Sequence, residues 1–93
     1  MGGYTLMMTE AAMKRIEANP LDPDFTPIAA VMSENGVHLI PAAGKPKGCF
    51  TLAARDGGEV PPGRQSAIID EMMLADTGRM IDGAVGTPQP VIK

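Results

Sequence analysis

The chain has 93 residues, a formal net charge of −3, no Trp, and only Tyr4, Phe25 and Phe50 as aromatics, against eight methionines. A chain of this length forms one domain that buries only about 60–65% of its unfolded surface, and an aromatic-poor, Met-rich core is thin and soft. Mild acidity with scattered Lys and Arg argues against nucleic acid as a ligand, because phosphate neutralisation dominates such affinity, and no apolar run approaches the roughly 20 residues of a membrane span.

Residues 1–5 read as an N-terminal arm. Met1-Gly2-Gly3-Tyr4-Thr5-Leu6 begins like a myristoylation signal but has Leu6 where Ser or Thr is required. No basic region precedes an apolar stretch there, so secretion by a signal peptide is not expected. The single Cys49 cannot form an internal disulfide, which fits a reducing compartment. The expected location is the cytoplasm or a particle assembled inside the cell.

The small α+β domain is expected over 6–78. From Leu6 to Ala18, the residues Leu6, Met8, Thr9, Ala12, Met13 and Ile16 share one side of a helical wheel, with Glu10, Lys14, Arg15 and Glu17 opposite. That pattern predicts an amphipathic helix, supported by Glu10 and Lys14 at i and i+4 and stopped by Asn19-Pro20. The segment 21–27 has Pro at 23 and 27 and reads as an extended connector.

Ile28–Met32 and Val37–Ile40 flank Asn35-Gly36, a strong hairpin signal that predicts two antiparallel strands. The competing reading makes Thr26 an N-cap, Pro27 the first helical residue and Gly36 the residue after the helix end. Cys49–Arg55 alternates, with Phe50, Leu52 and Ala54 on one face, and predicts a third strand of the meander. Ser66 then caps a second helix through about Asp76, closed by Gly78, with Leu74 set apart from its apolar arc. Residues 79–93, with Gly83, Gly86, Pro88 and Pro90, read as an extended C-terminal tail. The expected core is Met13, Ile16, Val31, Leu39, Phe50, Leu52, Ile69 and Met72.

Catalysis has little to work with. His38 and Cys49 are the only histidine and thiol, and adjacent strands would let them meet, but an outward His on a hairpin and a buried Cys are the commoner roles of such residues. Metal ligation lacks a Cys or His pair at ligand spacing, and the carboxylates of 22, 24, 56 and 59 do not follow a calcium loop. Gly44-Lys45 and Gly48 do not match a phosphate loop. No catalytic, metal or cofactor site is expected.

The reading that remains is a non-enzymatic structural or accessory subunit that docks onto a larger protein assembly, of the kind found in virions and other multi-subunit complexes. A freestanding protein-binding module or inhibitor is the alternative. The partner is a protein or a second copy of the chain, with neither nucleic acid nor membrane involved. The contact residues expected on this reading are Met7 and Leu74, which lie off the main apolar stripes, Met80, and the tail residues Pro88, Pro90, Val91 and Ile92.

Overall fold

A computed structural model describes residues 3–87, with side chains from Tyr4 to Gly86. The elements are β1 (Gly3–Met8), α1 (Glu10–Ala18), α2 (Thr26–Glu34), β2 (Val37–Pro41), β3 (Cys49–Ala54), α3 (Pro62–Ala75) and β4 (Ile81–Thr87). The strands form one sheet in the order β2-β3-β1-β4, with every neighbouring pair antiparallel. With α1 and α2 counted as one connection, this is the β-α-β-β-α-β, or split β-α-β, pattern. The small α+β domain therefore stands, but its sheet is not the expected three-stranded meander.

Residues 6–8 are strand, not helix. Thr9 is the reason: its backbone is extended, with ψ 152°, and its side chain accepts a hydrogen bond from the Ala12 amide at 3.0 Å. That N-cap fixes the first turn of α1 at Glu10, so residues before it cannot continue the helix. Asn19 ends α1 as expected, its amide donating to the Arg15 carbonyl.

Ile28–Met32 is helical, and the second reading of Asn35-Gly36 is the correct one. A two-residue type I′ hairpin needs positive φ at both central residues, but Asn35 has φ −94° and only Gly36, at +66°, is left-handed. Asn35 closes α2 instead, its side-chain amide donating to the Val31 carbonyl at 2.8 Å. Ile28 and Met32 then fall one turn apart on the buried side, where α2 meets α3. The N-cap is Phe25, not Thr26, whose hydroxyl donates to the Pro23 carbonyl. α3 starts a turn earlier than Ser66, because Pro62 has the φ of a first helical residue and no amide to leave unpaired.

Residues 3–5 of the expected arm and 81–87 of the expected tail enter the sheet. Gly3–Met8 pairs with Ile81–Thr87 from Gly3↔Thr87 to Met7↔Gly83, and a bulge at Asp82 then brings Met8 opposite Ile81. The Asp76 carboxylate aims β4 by accepting from the Met80 and Ile81 amides at 2.8 and 2.9 Å. Pro88, Pro90, Val91 and Ile92 lie outside the described residues.

The three helices pack on one face of the sheet. Leu6, Met8, Val37 and Leu52 on that face join Ala12, Ile28, Met32, Val60, Ile68, Ile69, Met72 and Met80 as the buried core. Among the described residues no polar or charged side chain is buried. Of the expected core, Leu52, Ile69 and Met72 are buried, while Met13, Ile16, Val31, Leu39 and Phe50 are only partly covered.

Two substitutions test this packing. Leu6 is fully buried on a central strand, so Leu6→Ala is expected to cost about 2–5 kcal/mol. Half-buried Phe50→Ala is expected to cost less, although an aromatic at the core centre would lose about 3–5 kcal/mol; urea denaturation that ranks Phe50→Ala above Leu6→Ala would contradict the fold. Glycines give the second test. A Cβ at Gly86 would run into the Tyr4 ring, whereas one at Gly63 meets nothing within 4 Å. Gly86→Ala is expected to destabilise by about 1–3 kcal/mol and Gly63→Ala to stabilise by about 0.4–1 kcal/mol.

Candidate functional site

α1 is the helix least packed against the rest of the fold. It is fastened at Ala12, which is buried, and near its C-terminus by Arg15, which donates to Asp22 at 2.8 Å and to Asp24. The Asp24 hydrogen bond is the largest of the effects that together hold the Arg15 guanidinium above its ordinary pKa, opposed by partial desolvation. Beside those fastenings, Met13 and Ile16 of the helix are only partly buried against the core.

The result is an apolar groove of about 350 Å³. Met13 and Ile16 of α1 form one wall, Leu39 of β2 and Phe50 of β3 the other, and Phe25, Met8 and Met32 close it. Glu17 is the one charged residue lining it. Through Met8, Met13 and Glu17 the groove continues into a second recess of about 350 Å³ bordered by Glu10, Lys14 and Lys47. Lys14 is paired with Glu10 at 3.5 Å, and both are exposed.

Sequence reasoning assigned Met13, Ile16, Leu39 and Phe50 to the core, yet these four are groove walls. Their apolar periodicity was legible; that α1 would not close over them was not. The groove collects both phenylalanines of the chain and three of its methionines.

The expected contact residues do not come together. Met7 is half-buried on the sheet face opposite the helices, opposite Cys49 and Gly83 on the flanking strands. Leu74 is 87% exposed on α3. Met80 is a correction: at 1% exposure it belongs to the core, drawn in by the Asp76 cap, and offers no surface.

His38 and Cys49 do lie on adjacent strands and on the same open face. His38 stands opposite Ala53, however, and Cys49 is four residues further along β3, about 13 Å away at strand spacing. That separation prevents proton transfer between them. Among the described residues no group of three or more His, Cys, Asp or Glu side chains is placed to hold a metal ion, and no helix is long and apolar enough to cross a membrane.

The chain matches no protein-family model, no curated protein and no solved structure. The separation of His38 from Cys49 has a direct check: the rate at which a thiol reagent labels Cys49 is expected to follow the same pH profile in wild type and His38→Gln. A slower, shifted profile in the variant would mean that the two side chains communicate.

Proposed function

We propose that this protein is a non-enzymatic accessory or structural subunit that docks onto a larger protein assembly, taking an apolar segment of its partner into the groove beneath α1. The observation that carries this reading is the lining: Met8, Met13 and Met32 beside Phe25 and Phe50. Methionine is unbranched and polarizable, so a Met-lined groove re-forms around different apolar side chains without a fixed shape. The volume lies at the low end for ligand sites, which suits one or two large anchoring side chains. Glu17 beside them favours a partner segment with Lys or Arg next to its apolar anchor.

The open sheet face supports a protein partner over RNA. Its outward residues in the paired register include Thr5, Met7, Ile40, Thr51 and Val85, with no Lys, Arg, Phe, Tyr or Trp among them and His38 as the single ring. Four-stranded sheets that bind RNA stack bases on aromatics there.

A second reading, a freestanding binding module or inhibitor, is favoured by one observation: β1 and β4 pair with each other within the chain, so both end strands are tied without a neighbour. An amide NMR spectrum of the chain alone separates the two. Dispersed peaks throughout 3–87 would support the freestanding module, and collapse of the β1 and β4 signals would support a subunit ordered by its assembly.

The docking site itself is tested by a photo-crosslinking residue placed at Met13 in the groove or, as control, at exposed Ala67 on α3, in the chain's native cells. Partner adducts are expected to concentrate at Met13. Equal adduct formation at the two positions would remove the groove from the proposal.

A further inference from the structure

The two edges of the sheet differ in what they leave unpaired. On the β2 edge, the Arg55 amide bonds the Gly36 carbonyl and the Ala42 amide bonds the Cys49 carbonyl. By alternation, the backbone groups of Val37, Leu39 and Pro41 therefore face outward. The Val37 carbonyl accepts from the Arg55 guanidinium at 3.3 Å, and Pro41 has no amide hydrogen. These are the devices by which natural edge strands resist pairing.

On the other edge, the Met8 amide bonds Gly48, so the even residues of β1 address β3 and the odd ones address β4. Gly83 and Val85 therefore bond to β1 through Met7 and Thr5, and the backbone groups of Ala84 and Gly86 point away from the sheet. Among the described residues no element lies beyond β4, and no hydrogen bond closes those four groups. From Gly83 to Gly86 the strand has neither a charge nor a proline, and Val85 is 54% exposed.

We propose that β4 pairs with β4 of a second copy of this chain, antiparallel across a two-fold axis at Val85, joining two four-stranded sheets into one of eight. The register follows from the open groups. Centred on Val85, Ala84 of each copy faces Gly86 of the other, and each such pair exchanges two hydrogen bonds, so all four open groups on each strand are satisfied. A centre at Ala84 would instead set Gly86 opposite Asp82, inside the bulge. The Val85 centre also makes Val85 and its copy a non-hydrogen-bonded pair, the type in which side chains approach most closely. Asp82 falls outside the paired run, so no carboxylate opposes another. This inference stands on the sheet edge and does not require the groove.

A single strand pair falls below the roughly 1,200 Å² of a standard interface, so the dimer is weak and is sought by sedimentation of the wild-type chain up to about 1 mM. Mass is expected to rise toward the dimer with concentration, and Val85→Lys to abolish the rise. The register is read separately in a Cys49→Ser background. Opposed Cα atoms at roughly 4.5 Å lie within disulfide reach, so Val85→Cys is expected to yield at least about ten-fold more oxidised dimer than Thr5→Cys, which sits one strand inward. A wild-type chain that stays monomeric over the whole range overturns the proposal. So does a Val85→Cys variant that crosslinks no better than Thr5→Cys.

Discussion

Everything in this fold depends on β1 lying between β3 and β4. Its backbone alternates between two partners far away in sequence, with Met8 bonding toward Gly48 on one side and Thr9 toward Met80 on the other. Its side chains alternate too. Tyr4, Leu6 and Met8 lie under the helices, and Thr5 and Met7 lie on the open face. Where β3 no longer reaches, Gln65 of α3 takes its place: its carbonyl accepts from the Tyr4 amide at 3.2 Å, and its amide donates to Val60 at 2.9 Å. Six residues near one end of the chain thus gather segments from the middle and the far end, and such nonlocal pairing makes folding slow.

The core built around that strand contains no fully buried aromatic ring. Met8, Met32, Met72 and Met80 are buried in it, while Tyr4, Phe25 and Phe50 sit at its margin. Methionine tolerates irregular gaps, so this core sets approximate distances between elements and does not enforce one tight fit. α1 shows the consequence. It is attached through Ala12 and the Arg15–Asp22–Asp24 cluster, and apolar side chains beneath it remain half-covered. Those half-covered positions, Phe25 and Phe50 among them, form the groove.

Features settled within a few residues were legible in the sequence. Asn19-Pro20 ended a helix, the alternation of Cys49–Arg55 marked a strand, and Val37–Ile40, read as a strand from its place after Asn35-Gly36, does pair with it. Features settled by distant partners were not. β1 was absorbed into a helical wheel because Leu6 and Met8 also fit that spacing, and only the Thr9 cap separates the two patterns. β4 holds Gly83 and Gly86, poor strand formers that are acceptable because β1 pairs with them and the Tyr4 ring covers Gly86. Asn35-Gly36 fits both a hairpin and a helix end, and the Ile28 and Met32 contacts decide between them. The groove escaped for a related reason: periodicity shows which side of α1 is apolar, not whether another element covers it.

The split β-α-β arrangement hosts many unrelated activities, so topology alone assigns none, and function resides in the surfaces it leaves open. The groove and the β4 edge differ in chemistry and in position. The groove is walled by α1, β2 and β3, with Met8 at its base, and takes no residue from β4. In the sheet order β2-β3-β1-β4, the free edge is therefore at the far side from the groove wall. Pairing through Ala84 and Gly86 reads backbone, with Val85 as the side chain at its centre, whereas the groove reads apolar side chains. Two copies joined at β4 would hold two grooves outward on one rigid sheet. A partner presenting two anchors would then bind the second at a high effective concentration, so a groove too small for tight binding alone gains avidity from the edge that joins its copies.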